Sequence, residues 1–292
     1  MSHAPTSAEP VAVASLAEAL ARDARTRVLD VRSLDAFSAG HLPGAGHMPA
    51  DEFVARRMEL PAREVPLLCV HDEPARAREA ADRLVTHGFA QPLWLAVPWS
   101  EVLTGPADTG APARLWSPSP YLDRVLPTLP VGRALDLACG TGRAAVAMAL
   151  LGHTVEGWDH DADSLERAER FAARQGVTLT TRGVDLEAPE LARPEPRFDL
   201  IVVVRYLHRP LFPWIEAALA PGGHLLIETF LRGQERFGHP RRDRFLLERG
   251  ELRTAWRTLE VLEVEEDSDA QPPVLARLHA RRPAEGLIRT EC

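Results

Sequence analysis

The sequence predicts an α/β protein built as two domains in succession. Three observations carry this reading. Short apolar runs alternate with helical stretches along the chain. A stretch rich in Pro, Gly, Ala and Ser, from Thr104 to Pro120, carries neither helical nor strand period and reads as a linker. A glycine loop in the second half lies between a strand and a helix, the arrangement of a nucleotide-binding sheet. The domains are accordingly placed at residues 8–104 and 121–283, with 105–120 between them.

In the first domain, Arg27 to Val31 and Pro66 to Val70 read as buried strands, with Pro92 to Ala96 as a third. Leu16 to Arg22 and Ala75 to His87 read as helices, the second ending at Gly88. In the second domain the strand candidates are Ala134–Ala138, Thr154–Trp158, Leu179–Gly183, Leu200–Val204 and His224–Thr229. Helical stretches separate them: Arg143–Leu151, Asp163–Gln175 and Leu211–Leu219. Asp163 or Ser164 can cap the middle one, with Glu166 in its first turn. Pro221-Gly222-Gly223 is a turn feeding the last strand. Such strand–helix alternation predicts a doubly wound, Rossmann-like sheet whose ligand lies at the carboxyl ends of the strands.

Composition narrows the function. The 292 residues are 45% hydrophobic and 26% charged, ordinary for a globular chain. Apolar runs such as Ala144 to Leu151 are far shorter than the ~20 residues that cross a bilayer, and the N-terminus lacks a basic start with an apolar run. A cytoplasmic location is the expectation. The cysteines, Cys69, Cys139 and Cys292, are too scattered for a disulfide framework. A net charge of −8 argues against nucleic acid as partner. All 34 basic residues are arginine, a bias that points to a GC-rich bacterial genome. Five of them fall between Arg232 and Arg244, either as a salt-bridged loop or as a rim for an anionic substrate.

The segment Leu135-Asp136-Leu137-Ala138-Cys139-Gly140-Thr141-Gly142-Arg143 follows a strand and opens a helix. Gly140 and Gly142 let backbone approach a ligand closely. In a dinucleotide fingerprint the glycine positions would be Ala138, Gly140 and Arg143, so the pyrophosphate site is incomplete. An acid and two glycines suit a nucleoside without phosphates. This half resembles the class I S-adenosylmethionine-dependent methyltransferases, with Ala138 where many members carry another glycine. The resemblance implies S-adenosyl-L-methionine as cofactor, with Gly140 and Gly142 along its methionine portion and Asp136 at its amino end. Asp159, 17 residues beyond Gly142, has two oxygens for the ribose hydroxyls and stands where the family has an acid. Asp185-Leu186 resembles the family's adenine-contacting pair. The series Asp159, Asp161, Asp163 imitates a calcium loop, but Ser164 and Arg170 occupy its glycine and glutamate positions.

Residues past the fourth strand, Arg205, Tyr206 and His208, lie where the resemblance places the methyl acceptor. His208 has the pKa range of a general base, or it caps a helix or bonds a backbone carbonyl. Tyr206 is more often a wall than a catalyst. Glu228-Thr229-Phe230, Gly233-Gln234-Glu235 and Phe245 to Glu248 are similar to the tellurite-resistance methyltransferase branch, whose members act on small, soft acceptors.

The first domain resembles the rhodanese family through Asp30-Val31-Arg32, Phe37, Gly40-His41-Leu42-Pro43-Gly44-Ala45 and Pro49. Active members carry a cysteine at the start of the loop after the next strand; aligning Arg76 with the loop arginine puts His71 there. Cys69 then sits on the strand, and Asp72 and Glu73 oppose a thiolate. His71-Asp72-Glu73 has no second cluster to complete a metal site, and no metal is expected. The reading is a methyltransferase for a small-molecule acceptor with a non-catalytic rhodanese-like domain, and a homodimer is an allowed arrangement. Two others are carried with it: a sulfurtransferase whose Cys69 persulfide is methylated, and a cofactor-binding scaffold without turnover.

Overall fold

The computed structural model describes residues 9–188, 195 and 197–284; Ala8, where the first domain was placed to begin, and Cys292 lie outside them. The chain divides into two compact units, Met1–Ser117 and Pro118–Cys292.

The first unit is a five-stranded parallel sheet. Its strands are β1 (Val11–Val13), β2 (Arg27–Asp30), β3 (Gly46–His47), β4 (Leu67–Val70) and β5 (Pro92–Leu95), in the order β1-β5-β4-β2-β3. Three helices connect them: α1 (Leu16–Arg22), α2 (Leu34–Ala39) and α3 (Pro74–Thr86). Ser15 and Ser33 cap α1 and α2 by accepting from Glu18 and Ala36 N–H. The central strand β4 is buried along its whole length: Leu67 and Cys69 pack with Leu29, Met48 and Ala81, while Leu68 and Val70 pack with Phe37 and Leu93. Burial on both faces is why its sequence is a continuous apolar run rather than an alternating one.

The segment read as a linker is only in small part free-running. Asp108 pairs with His41 in a β-bridge, Ala113 N–H donates to Ala45 C=O, and Leu115 is buried over Gly46. At its far end Ser119 accepts from Leu122 N–H and caps α4 (Pro120–Val125). Gly, Pro and Ala in this stretch therefore encode an extended strap, a conformation without a period of its own.

The second unit follows with β6 (Arg133–Leu137), α5 (Arg143–Leu150), β7 (Thr154–Asp159), α6 (Ala162–Arg174) and β8 (Thr180–Gly183). Then come β9 (Phe198–Val204), α7 (Phe212–Ala218), β10 (Leu219–Phe230), α8 (Glu251–Thr254), β11 (Glu260–Glu266) and β12 (Leu275–Arg281). The sheet order is β11-β12-β10-β9-β6-β7-β8. From β8 to β10 it is the parallel Rossmann-like sheet expected. β12 and β11 add to it antiparallel, so the whole sheet is mixed. The helix α6 begins one residue earlier than expected; Asp161 is its cap residue, and its carboxylate takes the Ser164 hydroxyl at 2.6 Å. Pro221-Gly222-Gly223 lies within β10 as an irregularity in its pairing with β9, and Gly222 has φ +80°.

Candidate active site

Three neighbouring strands of the second unit, β6, β7 and β8, end side by side, and their following loops build one open cleft of about 300 Å³. That is at the small end of the range for ligand sites. It is lined by Ala138, Asp159, His160, Val184, Asp185, Leu186, Glu187 and Tyr206. Four of the expected cofactor residues, Ala138, Asp159, Asp185 and Leu186, thus face one space. His160, Val184 and Glu187 also face it and were not expected, although each neighbours an expected residue.

The loop after β6 is held in a left-handed course. Ala138, Gly140 and Gly142 have φ of +56°, +50° and +82°. A side chain at Gly142 would put its Cβ 2.7 Å from that of Ala168 on α6, so glycine is needed for helix packing. At Gly140 a Cβ would meet nothing within 4 Å, which leaves open space in front of the backbone there. Asp159 ties this loop to β7: one carboxylate oxygen accepts from Gly140 N–H at 2.8 Å and the other from Asp161 N–H at 3.0 Å. Each oxygen keeps a second lone pair for a ribose hydroxyl.

Asp136 and the two glycines lie behind the cleft lining. Asp136 is buried, and its carboxylate accepts from Ala145 N–H in the first turn of α5 at 2.9 Å. Burial, and then the nearby Asp159 anion, push its carboxyl up to about 7 against the pull of that amide. Burial likewise raises the Cys139 thiol, with Asp136 and Asp159 adding to it. Asp185 is exposed and accepts from Glu187 N–H at 2.9 Å, while Leu186 is buried beside it. An apolar side chain and an acceptor are thus adjacent, as an adenine ring and its amine require.

Of the three residues expected at the reaction centre, Tyr206 alone lines the cleft. Arg205, at φ +57°, turns the chain after β9; its guanidinium is exposed, 4.8 Å over the Phe230 ring, and does not line the cleft. Tyr206 does line it. Its hydroxyl is buried without a hydrogen-bond partner, and its phenol is pushed up to about 12 by burial and then by Glu187, Asp185 and Asp159. His208 does not line the cleft; it lines a small apolar niche that it shares with Tyr206, Val203, Leu207, Leu211 and Phe212. The turn at Arg205 sends alternate side chains to different places, which the residue types alone do not encode.

Of the run resembling the tellurite-resistance branch, Glu228 pairs in the interior with Arg277, and Gln234 accepts from Val274 N–H and donates to His239 C=O. These residues brace the end of β10. In the arginine-rich loop, Arg232 pairs with Glu248 and Asp243, and Arg236 with Asp269. Among the described residues no group of three or more His, Cys, Asp or Glu has the arrangement to hold a metal ion, and no helix is long and apolar enough to cross a membrane.

In the first unit Cys69 is fully buried on β4, and burial raises its thiol strongly. The loop after it is filled by its own side chains. His71 accepts from Glu73 N–H, and Asp72 accepts from the Trp99 indole N–H at 2.6 Å. Arg32, which clasps Asp30, lies 4.6 Å over the Trp99 ring.

Comparison with known proteins adds three findings. Residues 122–271 match the family model described as tellurite resistance protein TehB, and residues 13–101 match the rhodanese-like domain. The uncharacterized protein UNK4.09 of Schizosaccharomyces pombe is 25% identical over 288 residues, spanning 77% of this chain and 83% of its own length. A ribosomal protein L11 methyltransferase of Thermus thermophilus is 39% identical over 105 residues, 35% of this chain and 40% of that protein. The probable S-adenosyl-L-methionine-dependent methyltransferase TehB of Haemophilus influenzae is 30% identical over 86 residues, 28% of this chain and 29% of its own. The crystal structure of TehB from that organism superposes with a TM-score of 0.44 at 21% identity, covering 56% and 60% of the two chains. The match thus spans less than half the length of each of these two methyltransferases.

Proposed function

The chain belongs to the TehB family and is an S-adenosylmethionine-dependent methyltransferase with a rhodanese-like first domain, and from that premise we propose that it methylates a small-molecule acceptor at the cleft of the second unit while the first unit does no chemistry. The observation that supports this most is the convergence of Ala138, Asp159, Asp185, Leu186 and Tyr206 on one cleft at the strand ends. The residues fit the cofactor. The free space before Gly140 admits an atom close to backbone, and Asp159, Asp185 and Glu187 make the cleft acidic, as a sulfonium with an ammonium requires.

S-adenosylmethionine, when bound, supplies an activated methyl group on sulfur. The chain's part is binding and alignment. Asp159 holds the ribose while fixing the glycine loop, and Asp185 with Leu186 holds the adenine. Gly140 gives the methionine portion its room, Gly142 lets α6 pack against the loop that carries it, and Asp136 lies beneath that loop, toward the amino end. Tyr206 lies two residues past the end of β9, the strand next to β6, and lines the same cleft, so its unpartnered hydroxyl would orient the methyl acceptor. His208 points to the apolar niche, so the general-base role loses its geometric support, and an acceptor with an available lone pair is favoured. Arg205 would act at the rim.

Cys69, without solvent access and with its thiol raised, argues against the persulfide route. The self-bonded loop from His71 to Glu73 supports a non-catalytic first unit.

Calorimetry tests the site. S-adenosylmethionine and S-adenosylhomocysteine are expected to bind and NAD to fail. Asp159→Ala is expected to weaken both ligands by about 1–3 kcal/mol. Unchanged affinity in that variant would place the ribose elsewhere.

A further inference from the structure

Asp136 is a carboxyl with few partners. It is 2% exposed at the end of β6 and receives one hydrogen bond, from Ala145 N–H of α5 at 2.9 Å. Its strand neighbours in register, Gly157 on β7 and Val202 on β9, bring no charge. Among the described residues, the titratable groups that act on it are Asp159 from the end of β7 and the Cys139 thiol from the glycine loop. Neither is a cation. Asp159 by contrast has two backbone donors, from Gly140 and Asp161. Burial with a single donor disfavours the ionised carboxylate, and the neighbouring Asp159 adds to this, so the Asp136 carboxyl is pushed up to about 7.

The inference rests on the cofactor reading above. We propose that Asp136 is a proton-linked binding residue, protonated in the ligand-free protein and ionised when the cofactor's α-ammonium reaches the loop, so that cofactor affinity rises with pH. The proton leaves to solvent, and the ammonium supplies the charge that the site lacks. The ammonium itself stays protonated throughout the range concerned. Nucleoside contacts at Asp159 and Asp185 play no part in the exchange.

The test is calorimetry of S-adenosylhomocysteine with the full chain, in two buffers of different ionisation enthalpy. At pH 6 about 0.9 proton is expected to be released per ligand bound. Affinity is expected to rise about tenfold from pH 5 to 6 and to level off above about pH 7. The nucleoside 5′-methylthioadenosine, which has no amino acid portion, is expected to bind without releasing a proton. Asp136→Asn is expected to abolish the release. Binding of S-adenosylhomocysteine with no proton exchanged, or a release that persists in Asp136→Asn, would overturn the proposal. Absence of binding at every pH, in a protein shown to be folded, would instead overturn the cofactor reading on which it stands.

Discussion

Ala138 and Arg205 are the non-glycine residues with positive φ among those described, and each follows a strand that ends at the cleft. An L-residue in the left-handed region costs about 1–2 kcal/mol, partly offset against glycine's greater freedom when unfolded. Ala138→Gly is therefore expected to raise stability by roughly 0.5–1 kcal/mol, read as a higher urea midpoint at unchanged slope. A clear loss would mean that the Ala138 methyl contributes packing that outweighs its strain. Asp136 makes a second prediction, on pH. Its folded-state value of about 7 lies above the ordinary carboxyl value, so the proton it holds stabilises the fold in acid. That contribution is fully present below about pH 4 and is lost as pH rises through about 7. The stability of Asp136→Asn relative to the parent should accordingly grow by about 3–5 kcal/mol between pH 4 and 8. A difference constant across that range, measured by urea unfolding, would contradict the burial argument.

The turn from β6 into α5 sets the spacing between elements. With Gly142 at φ +82° and the Ala168 backbone 3.3 Å from where its Cβ would stand, Gly142→Ala must strain the loop and push α6 outward. It should destabilise by about 2–4 kcal/mol and weaken the cofactor with it. Normal stability together with normal affinity would show that α6 yields freely. Elements of this kind were legible in the sequence because two signals coincide there, a glycine pair and an apolar strand. The strands buried on both faces, β4 and β9 among them, announced themselves as apolar runs. The antiparallel pair was not legible. β11 and β12 alternate apolar residues with Glu or Arg, and their charges are satisfied across strands, as Arg281 is by Glu260. β1 and β3, at three and two residues, are too short to have a period. For the candidate site, spacing alone puts Asp136, Asp159 and the glycines at the ends of neighbouring strands. It could not tell that Tyr206 reaches the cleft and His208 does not, because that depends on the backbone turn at Arg205.

At the scale of the whole molecule, the two sheets of the described residues end on four edge strands. β1, β3 and β8 supply three of them and are at most four residues long, too short to template another chain. The fourth, β11, has seven residues and carries Glu260, Glu263, Glu265 and Glu266. Near neutral pH a second strand laid along it would have to strip water from this row and disturb its pairings with Arg124, Arg249 and Arg281. A homodimer formed through that edge is therefore disfavoured, and lattice-like growth of the sheet is blocked. Replacing Glu260 and Glu266 with glutamine should lower this barrier, and light scattering of the folded protein near neutral pH should then rise above that of the parent. Unchanged scattering would show that the row of carboxylates does not guard the edge. The charge along one edge strand would thus set the colloidal behaviour of the protein, through four side chains remote from its chemistry.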